Sequence, residues 1–234
     1  MWMHDELSVL IPYQPDGGPR DEALSFVLRF YKHILPSADI CIGEIGADEP
    51  FSRSRAINRA ASRASGSIFI IADGDIVYDP QLVADSVRWI EQGRWVIPFS
   101  RINRLTQRIS RLVIEGEAIW PLDTEPDTRE EHAASFVGGL NIVGRGAFEQ
   151  IGGYDERFIG WGGEDEAFAY TMDTLVGEHI RLDGLMYHFW HPFVGPQGNP
   201  HYEHNYRLFE RYRAARGDRE SMNDLIREKQ AGKP

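Results

Sequence analysis

Short apolar runs alternate with helix-spaced apolar positions through the first hundred residues of the chain. The runs at 8–12, 40–45, 68–71 and 94–99 predict strands, and Pro12 is expected to stop the first. Segments with apolar residues every three or four positions predict helices at 20–35, at 52–64 and from Pro80 onwards. This βαβαβ order predicts an α/β fold with a mostly parallel central sheet, right-handed crossovers and flanking helices.

The second half of the chain has a different pattern. The segment 115–131 is acidic, contains two prolines and lacks periodicity, which predicts a mobile excursion. Further elements are predicted as strands at 136–143, 180–182 and 185–190, helices at 145–151 and 164–175, and a Gly/Pro loop at 192–200. We expect one domain, with a nucleotide-binding half to about residue 100, a second half to about residue 200 and a charged helical tail at 201–234.

Two carboxylates directly follow the apolar run at 68–71. Asp73 and Asp75 flank a single glycine, in the sequence Ala-Asp-Gly-Asp. Open α/β sheets bind ligands beyond the carboxyl ends of their strands, and paired carboxylates form a hard oxygen site. The pattern indicates a site for Mg²⁺ or Mn²⁺ holding a diphosphate. Taken alone, it is more typical of an ordinary Asp-Gly turn.

A second stretch, Gly-Trp-Gly-Gly-Glu-Asp-Glu at 160–166, opens a predicted helix. Its glycines allow the backbone to approach a ligand, and Trp161 offers a flat face of the kind on which sugars stack. Glu164 and Asp165 are candidate catalytic carboxylates, or ordinary first-turn acids that complement the helix dipole. His188 and His191, at the end of a predicted strand, are candidate metal ligands or core residues.

Composition narrows the classes of function. The 234 residues carry a net charge of −11, which argues against a nucleic-acid or anionic-membrane surface. The single Cys41 excludes an internal disulfide and is expected to be a small core residue. No apolar run reaches a membrane-spanning length, and the first residues lack a signal-peptide pattern, so we expect a cytoplasmic protein. The arginines cluster in two groups, at 53, 55, 59 and 63 and at 101, 104, 108 and 111, and the second group is expected on a solvated helix face.

The order of these motifs resembles that of the GT-A glycosyltransferases. The motifs are an Ile-Pro strand, Pro-Phe-Ser-Arg-Ser-Arg-Ala-Ile-Asn (50–58), Asp-Gly-Asp (73–75), Gly-Gly-Leu-Asn (138–141), Gly-Gly-Tyr-Asp-Glu (152–156), Gly-Trp-Gly-Gly-Glu-Asp (160–165) and a late His. The chain is most similar to the β-1,4-galactosyltransferase group and to related bacterial and phage family 2-like enzymes. The resemblance covers about residues 8 to 195.

The resemblance implies a metal site and a catalytic pair. It implies Asp75 as a direct ligand of Mn²⁺ or Mg²⁺, with Asp73 at the ribose or as a second-choice metal ligand. His188 matches the late metal-binding His, and His191 is the competing candidate. The family pattern places an acceptor-hydroxyl contact at Glu164 and the catalytic base at Asp165. Further positions that contact the nucleotide sugar are Pro12, Arg20, Phe51, Arg53 and Trp161, of which Pro12 and Arg20 match the pattern less closely.

The implied activity is inverting transfer of a hexose from a nucleotide-diphosphate sugar, with a UDP-sugar expected, to a hydroxyl of a glycan, small-molecule or protein acceptor. Residues 101–200 would form the acceptor and catalytic half, and the loop 192–200 a lid that orders over bound donor. Similar retaining polypeptide N-acetylgalactosaminyltransferases carry Asn where this chain has Asp165, which favours inversion. A retaining transferase, a non-catalytic nucleotide-sugar-binding relative and a nucleotidyltransferase remain the alternatives. The segment after Pro12 departs from the galactosyltransferase pattern, which leaves the uracil and ribose contacts open.

Overall fold

The computed structural model describes residues 6–122, 128–133, 135–192, 195 and 198–231, with the side chains of 128 and 129 excepted. Its elements in chain order are β1 (Leu7–Tyr13), α1 (Pro19–Ile34), β2 (Asp39–Glu44), α2 (Arg53–Ala61), β3 (Ile68–Ala72), β4 (Ile76–Tyr78), α3 (Gln81–Ile90), β5 (Val96–Ile97), β6 (Arg101–Leu105), α4 (Gln107–Glu115), β7 (Thr128–His132), β8 (Leu140–Gly144), α5 (Arg145–Gln150), α6 (Glu164–Leu175), β9 (Ile180–Arg181), β10 (Leu185–His188), α7 (Tyr202–Ala215) and α8 (Arg219–Ala231). Across these ranges, no helix is both long enough and apolar enough to span a lipid bilayer.

The main sheet confirms the predicted α/β architecture. Its six strands lie in the order β2-β1-β3-β8-β5-β9. β1 pairs in parallel with β2 and β3, β5 pairs in parallel with β9, and β8 runs antiparallel to both of its neighbours. Every residue of β3 is buried, as expected for a central strand covered on both faces. Asp73 therefore directly follows the carboxyl end of the fully buried strand β3.

Pro12 does not end the first strand, which corrects that prediction. β1 continues to Tyr13, and Pro12 lies opposite Gly43 in the parallel ladder with β2. On the other side, the ladder between β1 and β3 stops at Leu10. Pro12 has no N–H to donate. Because no residue of β3 pairs with Pro12, no hydrogen bond of that ladder is lost.

A second sheet, absent from the sequence expectations, lies beside the first. Its four strands have the order β4-β10-β6-β7. The antiparallel ladder between β4 and β10 pairs His188 with Ile76, the residue that follows Asp75. β10 runs parallel to β6, and β6 runs antiparallel to β7. This sheet joins the end of the Asp-Gly-Asp turn to the strand that carries the first candidate histidine.

The structure corrects parts of two expectations for the second half. Arg101 and Arg104 lie on β6, so only Arg108 and Arg111 occupy a helix, α4. The segment 115–131 is not wholly irregular, since α4 extends to Glu115 and β7 begins at Thr128. Residues 123–127 of that segment lie outside the described residues, and so does part of the expected lid at 192–200.

The charged tail forms two helices that are anchored by buried polar groups. Asp155 is 6% exposed and accepts hydrogen bonds from the Arg157 side chain and from the Tyr212 hydroxyl, at 2.8 Å from the latter. Lys229 on α8 donates from Nζ to the carbonyl oxygens of Ile151 and Gly153, at 2.8 and 2.7 Å. These contacts attach α7 and α8 to the Gly-Gly-Tyr-Asp segment that precedes α6.

Candidate active site

Three side chains from two separate segments meet at the junction of the two sheets. The Nε2 atom of His188 lies 3.8 Å from Asp75 Oδ1, and the Nε2 atom of His191 lies 3.4 Å from Asp75 Oδ2. One ligand atom from each residue falls within 4.8 Å of the others. The backbone holds the arrangement, because the Phe189 N–H donates to the Asp75 carbonyl at 2.8 Å. Both candidate histidines are thus brought to the same carboxylate.

The chemistry of this triad fits a divalent metal. Asp75 is 6% exposed, and within the described chain its buried Oδ1 atom has no hydrogen-bond donor. A buried carboxylate oxygen without a donor is costly, and a cation would satisfy it. Burial lowers the pKa of His191, although the negative charge of Asp75 acts to raise it. The lowered pKa favours the neutral imidazole that binds metals. One carboxylate with two imidazoles is a donor set suited to Mn²⁺ and related ions.

The second ring nitrogen of His191 has polar neighbours that govern its tautomer. Its Nδ1 atom lies 2.9 Å from the Pro192 carbonyl oxygen and 3.2 Å from Nη2 of Arg20. The Pro192 carbonyl can only accept from a protonated Nδ1, whereas Arg20 can only donate to a bare Nδ1, so the two neighbours favour opposite tautomers. In the tautomer that donates to the nearer carbonyl, the Nε2 lone pair faces Asp75 and is free to bind a metal. Arg20, predicted to contact the nucleotide, thus lies directly beside the metal triad.

Arg53 joins two other predicted site residues. It begins α2, whose N-terminus is capped by Ser52 Oγ, and only 7% of it is exposed. Its Nε and Nη2 atoms lie 3.0 and 2.8 Å from Asp73 Oδ1, while Nη1 donates to Asp165 Oδ1. The ring of Tyr154 lies beneath the guanidinium, 5.7 Å from its centroid to the Arg53 Cζ atom. Asp73 faces Arg53 and does not belong to the triad, so its role as a metal ligand stays a prediction.

Asp165 and Glu164 occupy the first turn of α6, preceded by Gly163 at a positive φ of 93°. Burial raises the pKa of both carboxyls, and the Arg53 guanidinium opposes the rise. A Cβ atom on Gly138 would lie 2.0 Å from Asp165 Oδ2, so only glycine leaves room for the carboxylate there. The Gly-Gly-Leu-Asn motif therefore has a steric function that its sequence alone did not reveal.

Two asparagines hold the loop that carries Trp161. Asn205 Nδ2 donates to the carbonyl oxygens of Ile159 and Trp161 at 2.9 and 3.3 Å, and its Oδ1 accepts the Ile159 N–H. Asn199 Nδ2 donates to the same two carbonyls at 2.9 and 2.8 Å. Gly160, at φ 71°, has no space for a Cβ atom, which would lie 2.5 Å from Asn199 Oδ1. Sequence analysis missed both asparagines, because they lie in a Gly/Pro loop and a charged tail with no distinguishing pattern.

Two further predicted contacts lie near this loop and in the main sheet. Phe51 is half-buried, and its carbonyl oxygen accepts the Gly160 N–H at 2.7 Å. Pro12 is buried within β1. Their assignment to nucleotide binding stays a prediction, as do the roles assigned to Arg20, Arg53 and Trp161.

Comparison with known proteins supports the resemblance seen in the motifs. Residues 125–191 match a family described as the N-terminal domain of galactosyltransferase. That span contains Trp161, Glu164, Asp165 and both triad histidines. The O-antigen biosynthesis protein RfbC of Myxococcus xanthus is 25% identical over 191 residues, which cover 66% of this chain and 15% of that protein.

Solved structures are similar at low sequence identity. One is the structure of GalNAc-T7 with UDP, GalNAc and Mn²⁺, whose sequence is 14% identical to this one. The alignment covers 96% of this chain and 54% of the GalNAc-T7 chain, with a TM-score of 0.50. This chain has the GT-A fold. The catalytic domain of Drosophila β1,4-galactosyltransferase 7 in complex with xylobiose is 20% identical, covers 76% of this chain and 63% of that chain, and has a TM-score of 0.45. The chain thus spans less than two thirds of the length of each of these relatives.

The resemblance to galactosyltransferases predicted from the motif order is confirmed, and so is the fold class. The family match ends at His191, one of the three residues of the candidate metal triad. The triad and the ion pairs of Arg53 lie at the carboxyl end of β3, which is where open α/β sheets bind their ligands.

Proposed function

We propose that this chain is a metal-dependent inverting glycosyltransferase that moves a hexose from a UDP-sugar to an acceptor hydroxyl. The observation that carries the proposal is the convergence of two groups of side chains at the end of β3. The triad of Asp75, His188 and His191 fits a divalent cation, and Asp165 is a carboxylate with a raised pKa. Arg53 contacts Asp165 and also Asp73, which lies two residues before the triad's Asp75 in the chain.

The triad supplies the site for the cation. Mn²⁺ held by Asp75, His188 and His191 would provide Lewis-acid charge for the departing diphosphate. Arg20, beside His191, adds a fixed positive charge on the same side of the site. Trp161 is 42% exposed and offers a flat apolar face to a sugar ring.

Asp165 is the general base in this proposal. The acceptor oxygen forms a bond to the anomeric carbon while the bond from that carbon to the diphosphate oxygen breaks, and its electron pair leaves with UDP. The proton of the acceptor hydroxyl passes to Asp165. Burial raises the pKa of this carboxyl towards neutral pH. A pKa near the working pH suits a group that must accept a proton and later release it. Glu164, its neighbour on α6, is proposed to contact the acceptor hydroxyl.

The proposed donor class is supported by the resemblance, and the proposed metal by the ligand atoms of the triad. GalNAc-T7, which shares the fold, was solved with UDP, GalNAc and Mn²⁺. The carboxylate and two imidazoles of the triad here would hold the Mn²⁺ of such a complex. The proposed acceptor is a glycan, a small molecule or a protein hydroxyl.

The test is donor turnover by the purified protein against a panel of UDP-, GDP- and TDP-sugars, with Mn²⁺ and with EDTA. We expect slow, metal-dependent release of UDP from one sugar, abolished by Asp75→Ala. Asp165→Asn should lower transfer to an acceptor by about 10²- to 10⁴-fold, the usual contribution of a general base. Asp85→Asn, an exposed carboxylate on α3, is the matched control and should leave turnover unchanged.

Two outcomes would contradict the proposal. No turnover and no nucleotide binding with any donor would favour a non-catalytic relative. A product with the same anomeric configuration as the donor, formed at similar rates by the wild type and Asp165→Asn, would instead establish a retaining transferase.

A further inference from the structure

A row of aromatic rings runs from the loop of Trp161 along α7. The row comprises Trp161, Tyr202, Tyr206, Phe209 and Tyr170, and each ring centroid lies 6.1 to 6.5 Å from the next. The first three rings differ in orientation by only 23° and 26° at the two steps. They therefore form a nearly continuous surface that begins four residues before Asp165.

The first three rings of the aromatic row are exposed to solvent. Trp161, Tyr202 and Tyr206 are 42%, 36% and 46% exposed, and among the described residues only Leu112 and Phe136 are other large apolar side chains as open as these. Contiguous exposed rings are unfavourable in water and mark places where a ligand binds. The core does not require these rings, because α7 packs against it through other residues, such as Leu208 and Tyr212.

The edges of the row carry groups that bind hydroxyls. Glu203 and Arg207 form an exposed ion pair at 3.2 Å beside the two tyrosines, and the Arg216 guanidinium lies 5.1 Å above the ring of Tyr170 at the far end. Flat apolar faces bordered by charged hydrogen-bonding groups suit the two sides of a pyranose, its C–H face and its hydroxyl rim.

The row is narrow compared with a protein interface. A stable protein contact buries about 800 Å² on each partner and involves about 20 to 30 residues a side. Three exposed rings in single file offer far less area. Their shape matches a linear chain lying along α7, and the row leads to the Trp161 loop, which directly precedes the candidate base on α6.

We propose that the aromatic row binds an extended oligosaccharide acceptor, with its terminal sugar at Trp161 and its preceding units over Tyr202 and Tyr206. This inference rests on the proposed function and specifies the acceptor as a chain of at least three sugars. Beyond Trp161, the aromatic row then acts as a set of acceptor subsites outside the metal and donor region.

The test compares acceptors of increasing length. The probes are oligosaccharide series of one to six units built from glucose, galactose, mannose or xylose, with the donor that supports turnover held fixed. In one series, the KM of the acceptor should fall by about 2- to 12-fold for each ring engaged, the range expected for one aromatic contact. In Tyr206→Ala, the ratio of the KM for a one-unit acceptor to the KM for a six-unit acceptor should fall towards unity. Tyr206→Phe should restore the wild-type ratio. Leu112→Ala, an equally exposed apolar side chain on α4, is the control and should keep the wild-type ratio.

The outcomes separate this inference from the proposed function. Donor hydrolysis without any dependence of acceptor KM on length overturns the aromatic row as a set of subsites and leaves the transferase standing. If no donor turns over, the same series are titrated directly by tryptophan fluorescence. An affinity that rises with oligosaccharide length in the wild type, but not in Tyr206→Ala, then supports the aromatic row as a binding site without supporting the transferase. Length-independent binding overturns the aromatic row. Self-association abolished by Tyr206→Ala, together with length-independent binding, would assign the row to a second copy of the chain.

Discussion

Arg53 allows the sharpest test of the site, because a single guanidinium contacts both Asp73 and Asp165. The Arg53 side chain is 8% exposed, while those of Asp73 and Asp165 are 30% and 21% exposed. Replacing it by methionine leaves two carboxylates in partial burial without their shared cation. Arg53→Met keeps most of the side-chain volume, so the change removes charge and hydrogen bonds rather than packing.

The expected loss of stability lies between two limits. Removing one partner of a fully buried ion pair costs about 3–5 kcal/mol, and exposed pairs contribute about 0.2–1 kcal/mol. Because both carboxylates are partly exposed, we expect a cost of about 2–4 kcal/mol for Arg53→Met. In a chain of this length that lowers Tm by about 4–16 °C. Arg53→Lys should give an intermediate value, because one ammonium cannot reproduce the planar fork that reaches both carboxylates.

The same substitution should change the pH dependence of activity. Burial raises the pKa of Asp165, and Arg53 opposes that rise. Without the guanidinium the ionised carboxylate is less favourable, so its pKa rises further. A general base must be deprotonated to act, and the acid limb of the kcat profile should therefore move to higher pH in Arg53→Met.

The assays are thermal unfolding and the pH profile of transfer, with Arg55→Met as the matched control. Arg55 lies on the same helix and pairs with Glu49 at 3.2 Å, with the two side chains 32% and 45% exposed, so its loss should cost about 1 kcal/mol or less. Equal Tm values for the two variants, together with an unmoved acid limb, would refute the role assigned to the Arg53 guanidinium.

Three further predictions follow from the metal triad and the polar anchors. Asp75→Asn should weaken Mn²⁺ binding by more than about 100-fold, the upper range for outer-shell changes, and electron paramagnetic resonance of free Mn²⁺ measures it; unchanged affinity would contradict the triad. Burial tends to raise the pKa of Asp155, but the hydrogen bonds from Arg157 outweigh it and lower the pKa, so this carboxylate stabilises the fold above its unfolded pKa and the benefit disappears as the pH falls through the folded value. Urea unfolding should then show a stability gap between wild type and Asp155→Asn that is largest near neutral pH and shrinks below about pH 4, whereas a constant gap would exclude this linkage. Asn205→Ala should cost about 1–3 kcal/mol and speed amide exchange in the Trp161 loop, and equal protection from exchange would show that the asparagine does not hold the loop.

Much of the local structure was readable from the chain because it depends on neighbouring residues. The helix predicted at 164–175 is α6 with the same bounds, since its acidic first turn and apolar spacing are local signals. The buried strand β3 and the carboxylates at its end follow from a continuous apolar run. The order of the motifs also determined the resemblance to the galactosyltransferases.

The second sheet and the contacts within the site were decided only by the tertiary structure. β7, Thr-Arg-Glu-Glu-His, has no apolar alternation, and it is a strand because its backbone pairs with β6. The pairing of β4 with β10 brings His188 to Asp75 across more than a hundred residues, and no local pattern encodes such a distance. The contact of Arg53 with Asp165 arises in the same way. Sequence periodicity reports which face of an element is buried, whereas the partner of a buried charge depends on where the folded chain places the other element.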